Sequence, residues 1–471
     1  MNFIDQVNAD YEKILRKTDP AAQLKWLISG MGAASMNMAD PVTHVSKPFP
    51  TFLKPYFVNM AHREKIALAT KTIVKCVEKV GKAYIEDENH FDGLFDLREE
   101  DSTGRLFDLS KVDPLYPNYQ VMVRLDCFMD PHTGDMKFLE FNCGDPSGMG
   151  WNDAMLDIFL GLAAVKEMGK KYKLTDDHLL ATHHKTLLKK YAEYCKAKKI
   201  TPKKKPYFAI TMWKGSTVLS DDLLIVQYTR NQGCGSDLVD PAEFTYDGKE
   251  LRIKPTNQVV DIIYRDAITD FVKDQFWPSC KDTVIQAYKD GNVCFVNPIR
   301  AATGDFKTMP AVVTDKRYEK LFTAAERKIL DETVPWTRLF KEGKTDFHGK
   351  NVDLVEHVRK NKDSFVLKPN VGYGGFGIAL GKMKNQKEWE EAVGKALKEK
   401  YAVQEFVKVP TDSFPIMENG ELKGFEDKNV NINFWSHGGE FAGAFNRGSS
   451  SLIINVHQGG GLVPVLFIEE K

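Results

Sequence analysis

From Gln120 the chain switches to a strict alternation in which Val121, Val123, Leu125 and Cys127 are separated by Met122, Arg124 and Asp126. A period of two marks a strand with one buried face. A second such run, Lys137 to Asn142, follows the turn-rich stretch Asp130-Pro131-His132-Thr133-Gly134-Asp135, so the spacing predicts an antiparallel hairpin. A five-residue loop from Pro131 to Asp135 would set Asp126 against Glu140 and Arg124 against Asn142, with all four side chains on one face. A loop of even count would turn Glu140 away. Two carboxylates and an amide oxygen grouped in this way form a hard-oxygen site suited to Mg2+, and the neighbouring guanidinium can grip a phosphate or carboxylate. The same four residues would also serve as the wet face of an ordinary hairpin, with opposite charges paired across strands. The pattern leaves both readings open.

The second constraint is Lys368-Pro369 followed by Asn370-Val371-Gly372-Tyr373-Gly374-Gly375-Phe376-Gly377. Glycines without a Cβ let backbone N–H groups approach phosphate oxygens, and the lysine adds a point charge. The spacing satisfies G-x-G-x-x-G, but a dinucleotide fingerprint needs a helix next, and Ile378-Ala379-Leu380 continues as a strand. The loop therefore reads as a hairpin flap. Protein kinases are excluded because neither H-R-D nor D-F-G follows it. Walker-type NTPases are excluded because G-x-x-x-x-G-K-[ST] is missing.

A chain of 471 residues, 42% of them hydrophobic, exceeds what a single core usually holds and suggests two or three lobes. Lys+Arg and Asp+Glu balance at 65 each, so nothing asks for a nucleic-acid or membrane partner. The 7 cysteines lack C-x-x-C spacing, the start carries Asp5, Asp10 and Glu12, and the longest apolar run, Met155 to Val165, is too short to span a bilayer. A cytoplasmic protein with reduced thiols is expected. Residues 5–35 and 57–85 show helical spacing. Tyr207 to Trp213, Val259 to Tyr264 and Val293 to Asn297 read as strands between helices at Asp221 to Asn231 and Phe271 to Ala287, a small α/β unit. The last third predicts strands at Phe365 to Lys368, Tyr401 to Val407 and Val430 to Phe434, with a helix at Lys387 to Lys400.

In order, these segments run Arg124-Leu125-Asp126, Glu140-Phe141-Asn142, Asp145-Pro146-Ser147, Asn297-Pro298 and Thr314-Asp315-Lys316. Lys368-Pro369 with its glycines, Gln404-Glu405-Phe406-Val407, Gly443 to Arg447, and Asn455 with Gly459-Gly460-Gly461 follow. The series resembles the circularly permuted ATP-grasp proteins, the group that includes the synthetase part of glutathionylspermidine synthase, over about residues 115 to 471. The resemblance implies an α+β ATP-grasp fold. A helical N-terminal region would take residues 1–115, the metal-binding hairpin part 116–200, a small α/β pre-ATP-grasp-like domain 201–300, and the nucleotide-binding part with the glycine flap 301–471.

It further implies an ADP-forming carboxylate-amine ligase that uses ATP and Mg2+ and works through an acyl phosphate. Asp126, Glu140 and Asn142 would hold the metal. Lys316 and Lys368 would contact ATP phosphates, Gly372, Tyr373, Gly374, Gly375 and Gly377 would close over them, and Gln404, Glu405 and Val407 would meet the adenine. Arg124 and Arg447 would stabilise the transferring phosphoryl and the later oxyanion, while Asp145, Ser147, Arg265 and Asn455 are candidate substrate contacts. From the residues alone, Lys316 could equally lie on an exposed helix face, Asp145 and Ser147 could cap a loop, and Arg265 could sit in a buried ion pair. The implied partners are a small-molecule or peptide carboxylate and an amine, and a homodimer is the prior expectation. A non-amine acceptor, or an ATP-binding regulatory module without catalysis, remains the alternative.

Overall fold

A computed structural model describes residues 2–39, 46–267, 274, 276–372, 374–454, 456 and 460–471. Helix α1 (Phe3–Lys17) is capped by Asn2 and buries Ile4, Val7, Tyr11 and Leu15, a stripe at helical spacing. Helix α2 (Pro20–Ala33) starts with proline in its first turn behind the Asp19 cap. Strand β1 (Tyr56–Asn59) precedes the long helix α3 (Arg63–Glu86). The helical expectation for 57–85 therefore fails at its start. Those residues pair in parallel with the far end of the chain, with Val465 opposite Tyr56, a partner that local periodicity cannot reveal.

The hairpin follows as β2 (Met122–Met129) and β3 (Met136–Asn142), then helix α4 (Met149–Leu160), strand β4 (Tyr172–Thr175) and helix α5 (Leu179–Lys198). The α/β unit contains β5 (Phe208–Thr211), helix α6 (Leu219–Asn231), β6 (Ser236–Val239), β7 (Ile262–Arg265) and β8 (Cys294–Val296). Its strands are all parallel in the order β8-β7-β5-β6. β5, β7 and β8 are buried at every position, as strands covered on both faces should be. The helix predicted at Phe271 to Ala287 is instead two short ones, Trp277–Cys280 and Val284–Lys289. Pro278 can stand only in a first turn, and Thr283 leaves helical geometry at φ −121°, ψ −104°; the beginning of the predicted segment lies outside the described residues.

A smaller antiparallel sheet comes next, built from β9 (Thr337–Leu339), β10 (Phe365–Pro369), β11 (Ala379–Leu380) and β12 (Tyr401–Glu405) in the order β9-β12-β10-β11, with helix α7 (Gln386–Lys398) packed on it. Its separate core gathers Trp389, Phe365, Leu367 and Val403. Finally β13 (Thr411–Glu418), β14 (Glu421–His437), β15 (Glu440–Ser449) and β16 (Gly461–Glu470) return to the hairpin. They complete an eight-stranded sheet ordered β1-β16-β15-β14-β2-β3, with β13 beside β14 and β4 beside β16. Residues 301–471 thus contribute to these two sheets and to a small two-stranded one, Lys344–Phe347 with Lys350–Asp353, and the hairpin shares the eight-stranded sheet with the chain's last strands. Among the described residues no helix is long and apolar enough to cross a membrane.

Candidate functional site

Arg124 stands opposite Asn142 and Asp126 opposite Glu140, the register read from the sequence, but it arises differently. The Asp130 amide donates to the Asp135 carbonyl at 2.9 Å and Met129 pairs with Met136, so only Pro131 to Gly134 form the loop, an even count. A β-bulge restores the parity: Cys127 faces Phe138 while Asp126 faces Glu140, which makes Leu139 the extra residue. Phe138 and Leu139 are the one consecutive apolar pair in an otherwise alternating run, a signal present in the sequence. The bulge also aims a carbonyl at the neighbouring sheet, where Leu139 O accepts from Lys368 Nζ at 3.1 Å and Gln404 Nε2 at 3.3 Å.

Around the hairpin four cations meet two carboxylates. Asp126 accepts from Arg124 Nε at 3.0 Å, Asn142 Nδ2 at 3.1 Å and Arg447 Nη1 at 3.3 Å. Lys307 Nζ lies 3.4 Å from Glu140 Oε2. Burial alone would push the Glu140 carboxyl up, but Lys307 and Lys368, then Arg124 and Arg447, hold it down at about 2. Burial pulls the Lys368 ammonium down to about 8, against the opposing pull of Glu140.

Six polar residues of this region line a cleft between the two antiparallel sheets, Lys368 and Gln404 from one and Asp126, Glu140, Asn431 and Arg447 from the other. Phe128, Val366, Leu380 and residues 452–454 add apolar lining. At about 120 Å³ the cleft is well below the usual size of a ligand pocket. A wider cleft of about 860 Å³ adjoins it and shares Glu405, Phe406 and Val407.

The glycine segment is a hairpin flap, with Val366 opposite Leu380 at its base. Gly372, Gly374, Gly375 and Gly377 all have positive φ, and at Gly377 a Cβ would come within 2.7 Å of the Pro369 ring. Gly375 borders the cleft and Phe376 at the tip is 61% exposed. Tyr373 and Asn455 lie outside the described residues.

Other expectations change. Gln404 uses its side chain to hold Lys368, whose Nζ donates to Gln404 Oε1 at 2.8 Å. The Glu405 and Phe406 amides donate to the Trp336 and Ser364 carbonyls, and the Glu405 carboxylate meets His348 Nε2 at 3.1 Å. Gln404, Glu405 and Val407 all border the cleft. Lys316 is exposed and lines the wider cleft, apart from the hairpin carboxylates. Arg265 is fully buried; its guanidinium donates to the Asn297 carbonyl at 3.0 Å and the Gly144 carbonyl at 3.4 Å, which makes it a backbone brace with no surface left for a substrate. Asn297, equally buried, braces the same turn through Met122, Cys143 and Gly144.

Ser147 links two regions. Its carbonyl accepts from Arg124 Nη1 at 2.8 Å, and its hydroxyl donates to Asp266 Oδ2 at 3.2 Å. Beyond it Asp222 and Asp266 are buried, and burial followed by their acidic neighbours pushes both carboxyls well above the carboxylate range. Half-buried Asp145 is pushed up in the same way. Asp221 is pushed only to about 6, because the Gly148 and Trp151 amides at the start of α4 donate to it.

Asp126, Glu140 and Asn142 bring two carboxylates and an amide to one face, a donor set that fits a hard cation such as Mg2+. Among the described residues no cluster of three or more His, Cys, Asp or Glu could hold a metal.

Over the whole chain the arrangement has a counterpart. A glutathione synthetase-like effector of Globodera pallida, in its apo form, superposes with a TM-score of 0.61 over 94% of this chain and 96% of its own, at 11% identity. The fold is glutathione synthetase-like. A candidate gamma-glutamylcysteine synthetase of Methylobacillus flagellatus also matches, at 14% identity over 75% of this chain and 81% of its own, with a TM-score of 0.39. No family model and no curated protein matches. Within this glutathione synthetase-like fold sequence reasoning missed Lys307 and the bulge carbonyl of Leu139. The only sign of the former was a charged pair, Asp305 and Lys307, in an otherwise apolar segment.

Proposed function

We propose that the chain is an ATP-dependent carboxylate-amine ligase of the circularly permuted ATP-grasp type, similar to the synthetase part of glutathionylspermidine synthase. The observation that carries this reading is the cleft between two sheets lined by Lys368, Arg447, Asp126 and Glu140, with Arg124 bonded to Asp126. Lys368 and Arg447 line the cleft, Arg124 and Lys307 pair with its carboxylates, and this group of cations suits a triphosphate while the apolar lining suits a base.

A carboxylate oxygen of the acid substrate attacks the γ-phosphorus and the bond to ADP breaks, giving an acyl phosphate. The amine nitrogen then attacks the acyl carbon, the C–O bond to phosphate breaks, and the nitrogen loses a proton. Lys368 binds phosphate oxygens, and the Leu139 carbonyl and Gln404 fix its direction. Arg124 and Arg447 stabilise the charge that builds on the phosphoryl group and later on the oxyanion. The flap keeps water from the acyl phosphate. Asp126, Glu140 and Asn142 would hold Mg2+, which when bound supplies charge neutralisation to the β- and γ-phosphates.

The test is ADP release from Mg-ATP with pooled small acids, peptides and amines. Release that needs both an acid and an amine, and is lost in Asp126→Asn, supports ligation. ATP binding without release in any pool would favour the regulatory module, and no ATP binding would sink the proposal.

A further inference from the structure

We infer that the exposed face of α5, with the segment that follows it, docks on a membrane surface carrying acidic phospholipid headgroups. The inference is independent of the nucleotide reading of the cleft.

Helix α5 buries Leu179, His183, Leu187, Tyr191 and Cys195, and its exposed positions are Ala181, Lys185, Lys189, Ala192, Lys196 and Ala197. Lys185, Lys189 and Lys196 fall within about 40° around the helix axis and span about 16 Å along it. Only alanine stands between them, so no bulky neighbour shields the ammonium groups. The helix ends at Lys199 in left-handed geometry, and Ile200, Lys203, Lys204 and Lys205 continue the exposed surface. Every exposed charge from 181 to 205 is thus a lysine, in a chain whose Lys+Arg and Asp+Glu balance at 65 each. The balance describes the whole chain and hides this local excess.

Neighbouring acids do not cancel it. Glu193, on the flank of the helix, is taken by the buried Lys190 at 3.0 Å, and Asp261 is taken by Lys203 at 2.7 Å and by the Tyr207 amide at 2.8 Å. Among the described residues the other exposed lysines of this stretch form no ion pair. Lys185 and Lys189 stand four apart, where like charges weaken a helix, so the face carries a repulsion that an anionic surface relieves. The segment is also held in place before any partner arrives. The Ile200 amide donates to the Cys195 carbonyl at 2.9 Å, and Asp261 anchors both Lys203 and Tyr207, so docking has little chain left to order.

The composition of the face selects a lipid surface over a nucleic acid. Its exposed residues include no aromatic ring to stack on a base and no arginine to grip a phosphate with a planar fork. Lysines on a smooth ridge suit a diffuse layer of headgroups, and Ile200, 50% exposed among them, offers an apolar side chain to the interface. Each lysine near an acidic bilayer contributes about fivefold in affinity, and without a lipid anchor the docking is reversible.

The experiment is co-sedimentation of the full chain with phosphatidylcholine vesicles, with and without phosphatidylserine, at low and high salt. Binding should require phosphatidylserine and weaken as salt rises. The variant K185E/K189E/K196E should bind at least about tenfold more weakly, while K17E/K249E/K387E, with the same net charge but its changes scattered over other exposed positions, should stay within about twofold of the unaltered chain. Melting curves of both variants control for folding, since glutamate and lysine serve an exposed helix about equally well. Equal losses in the two variants, equal binding to neutral vesicles, or no binding at low salt would overturn the inference. A short DNA duplex that displaces the vesicles at equal charge concentration would assign the face to a nucleic acid and overturn it as well.

Discussion

Lys368 is nearly buried, held by Gln404 and the Leu139 carbonyl, and its ammonium titrates at about 8 because burial disfavours the charge. A phosphate needs the charged form, which predominates below that value. Nucleotide affinity should therefore be full near neutrality and fall as pH rises through 8 to 9, and Lys368→Arg should move the fall to higher pH, since arginine stays protonated. Calorimetry at pH 7 and 9 would check this; an affinity flat over that range would separate Lys368 from the phosphate. Glu140, held at about 2, stays ionised throughout. At this scale the alternating run exposed Arg124 and Asp126, the bulge and not the expected loop brought Glu140 and Asn142 opposite them, Lys368 stood out beside its glycines, and Arg447 came only from the family resemblance. Lys307 and Asn370 were hidden, since their meaning comes from partners far along the chain. Lys316 shows the opposite case, a lysine in a persuasive local motif whose position opens on the wider cleft.

The packing of α5 on β14 buries His183 and His437, and Thr182 Oγ1 reaches His437 Nδ1 at 2.7 Å. Burial pulls the His437 imidazole from 6.5 down to about 3, and His183 is lowered well below its ordinary value by burial and then by His437. His437 is neutral in the fold at pH 5, whereas the unfolded chain takes up protons below 6.5. Stability is thus complete above that value and is lost as pH falls towards 3, by about 2 kcal/mol at pH 5 for His437 alone. Urea midpoints at pH 7 and 5 should show the loss, and His437→Gln should lessen it; an unaltered slope in that variant would put the acid sensitivity elsewhere. The elements themselves were largely legible where one periodicity ran unbroken, as in α5 and β2. They failed where a distant partner decided the conformation, as at Tyr56–Asn59, or where Thr283 leaves helical geometry between Trp277–Cys280 and Val284–Lys289.

On the scale of the whole molecule, the first sixty residues are bound to the last sixty. β1 pairs with β16, and Lys54, 1% exposed, places Nζ 2.7 Å from Asp412 Oδ2 while also donating to the Ser413 carbonyl. Lys54→Met should cost about 3 to 5 kcal/mol by leaving Asp412 buried without its partner, read as a lower denaturation midpoint; a loss under 1 kcal/mol would mean that water reaches Asp412. Nothing in the local pattern foretold this closure, which joins strands whose separate runs read well.

The same architecture sets a condition on function. The eight-stranded sheet and the smaller sheet approach so closely that the space between Lys368 and Arg447 is only about 120 Å³, too little for a nucleoside triphosphate. On the proposed nucleotide reading, either the glycine flap lifts or the smaller sheet swings before ATP enters. The flap is the softer element, with four glycines at positive φ and an exposed Phe376 at its tip, while the sheet behind it has its own core around Trp389. Hydrogen exchange in residues 371–378 should accordingly be fast in the free protein and slow on adding Mg-ATP, with β10 and β12 protected in both states. Slowing spread evenly over β9 to β12 would instead identify a swing of the whole smaller sheet, in which the flap is carried along as a passive part.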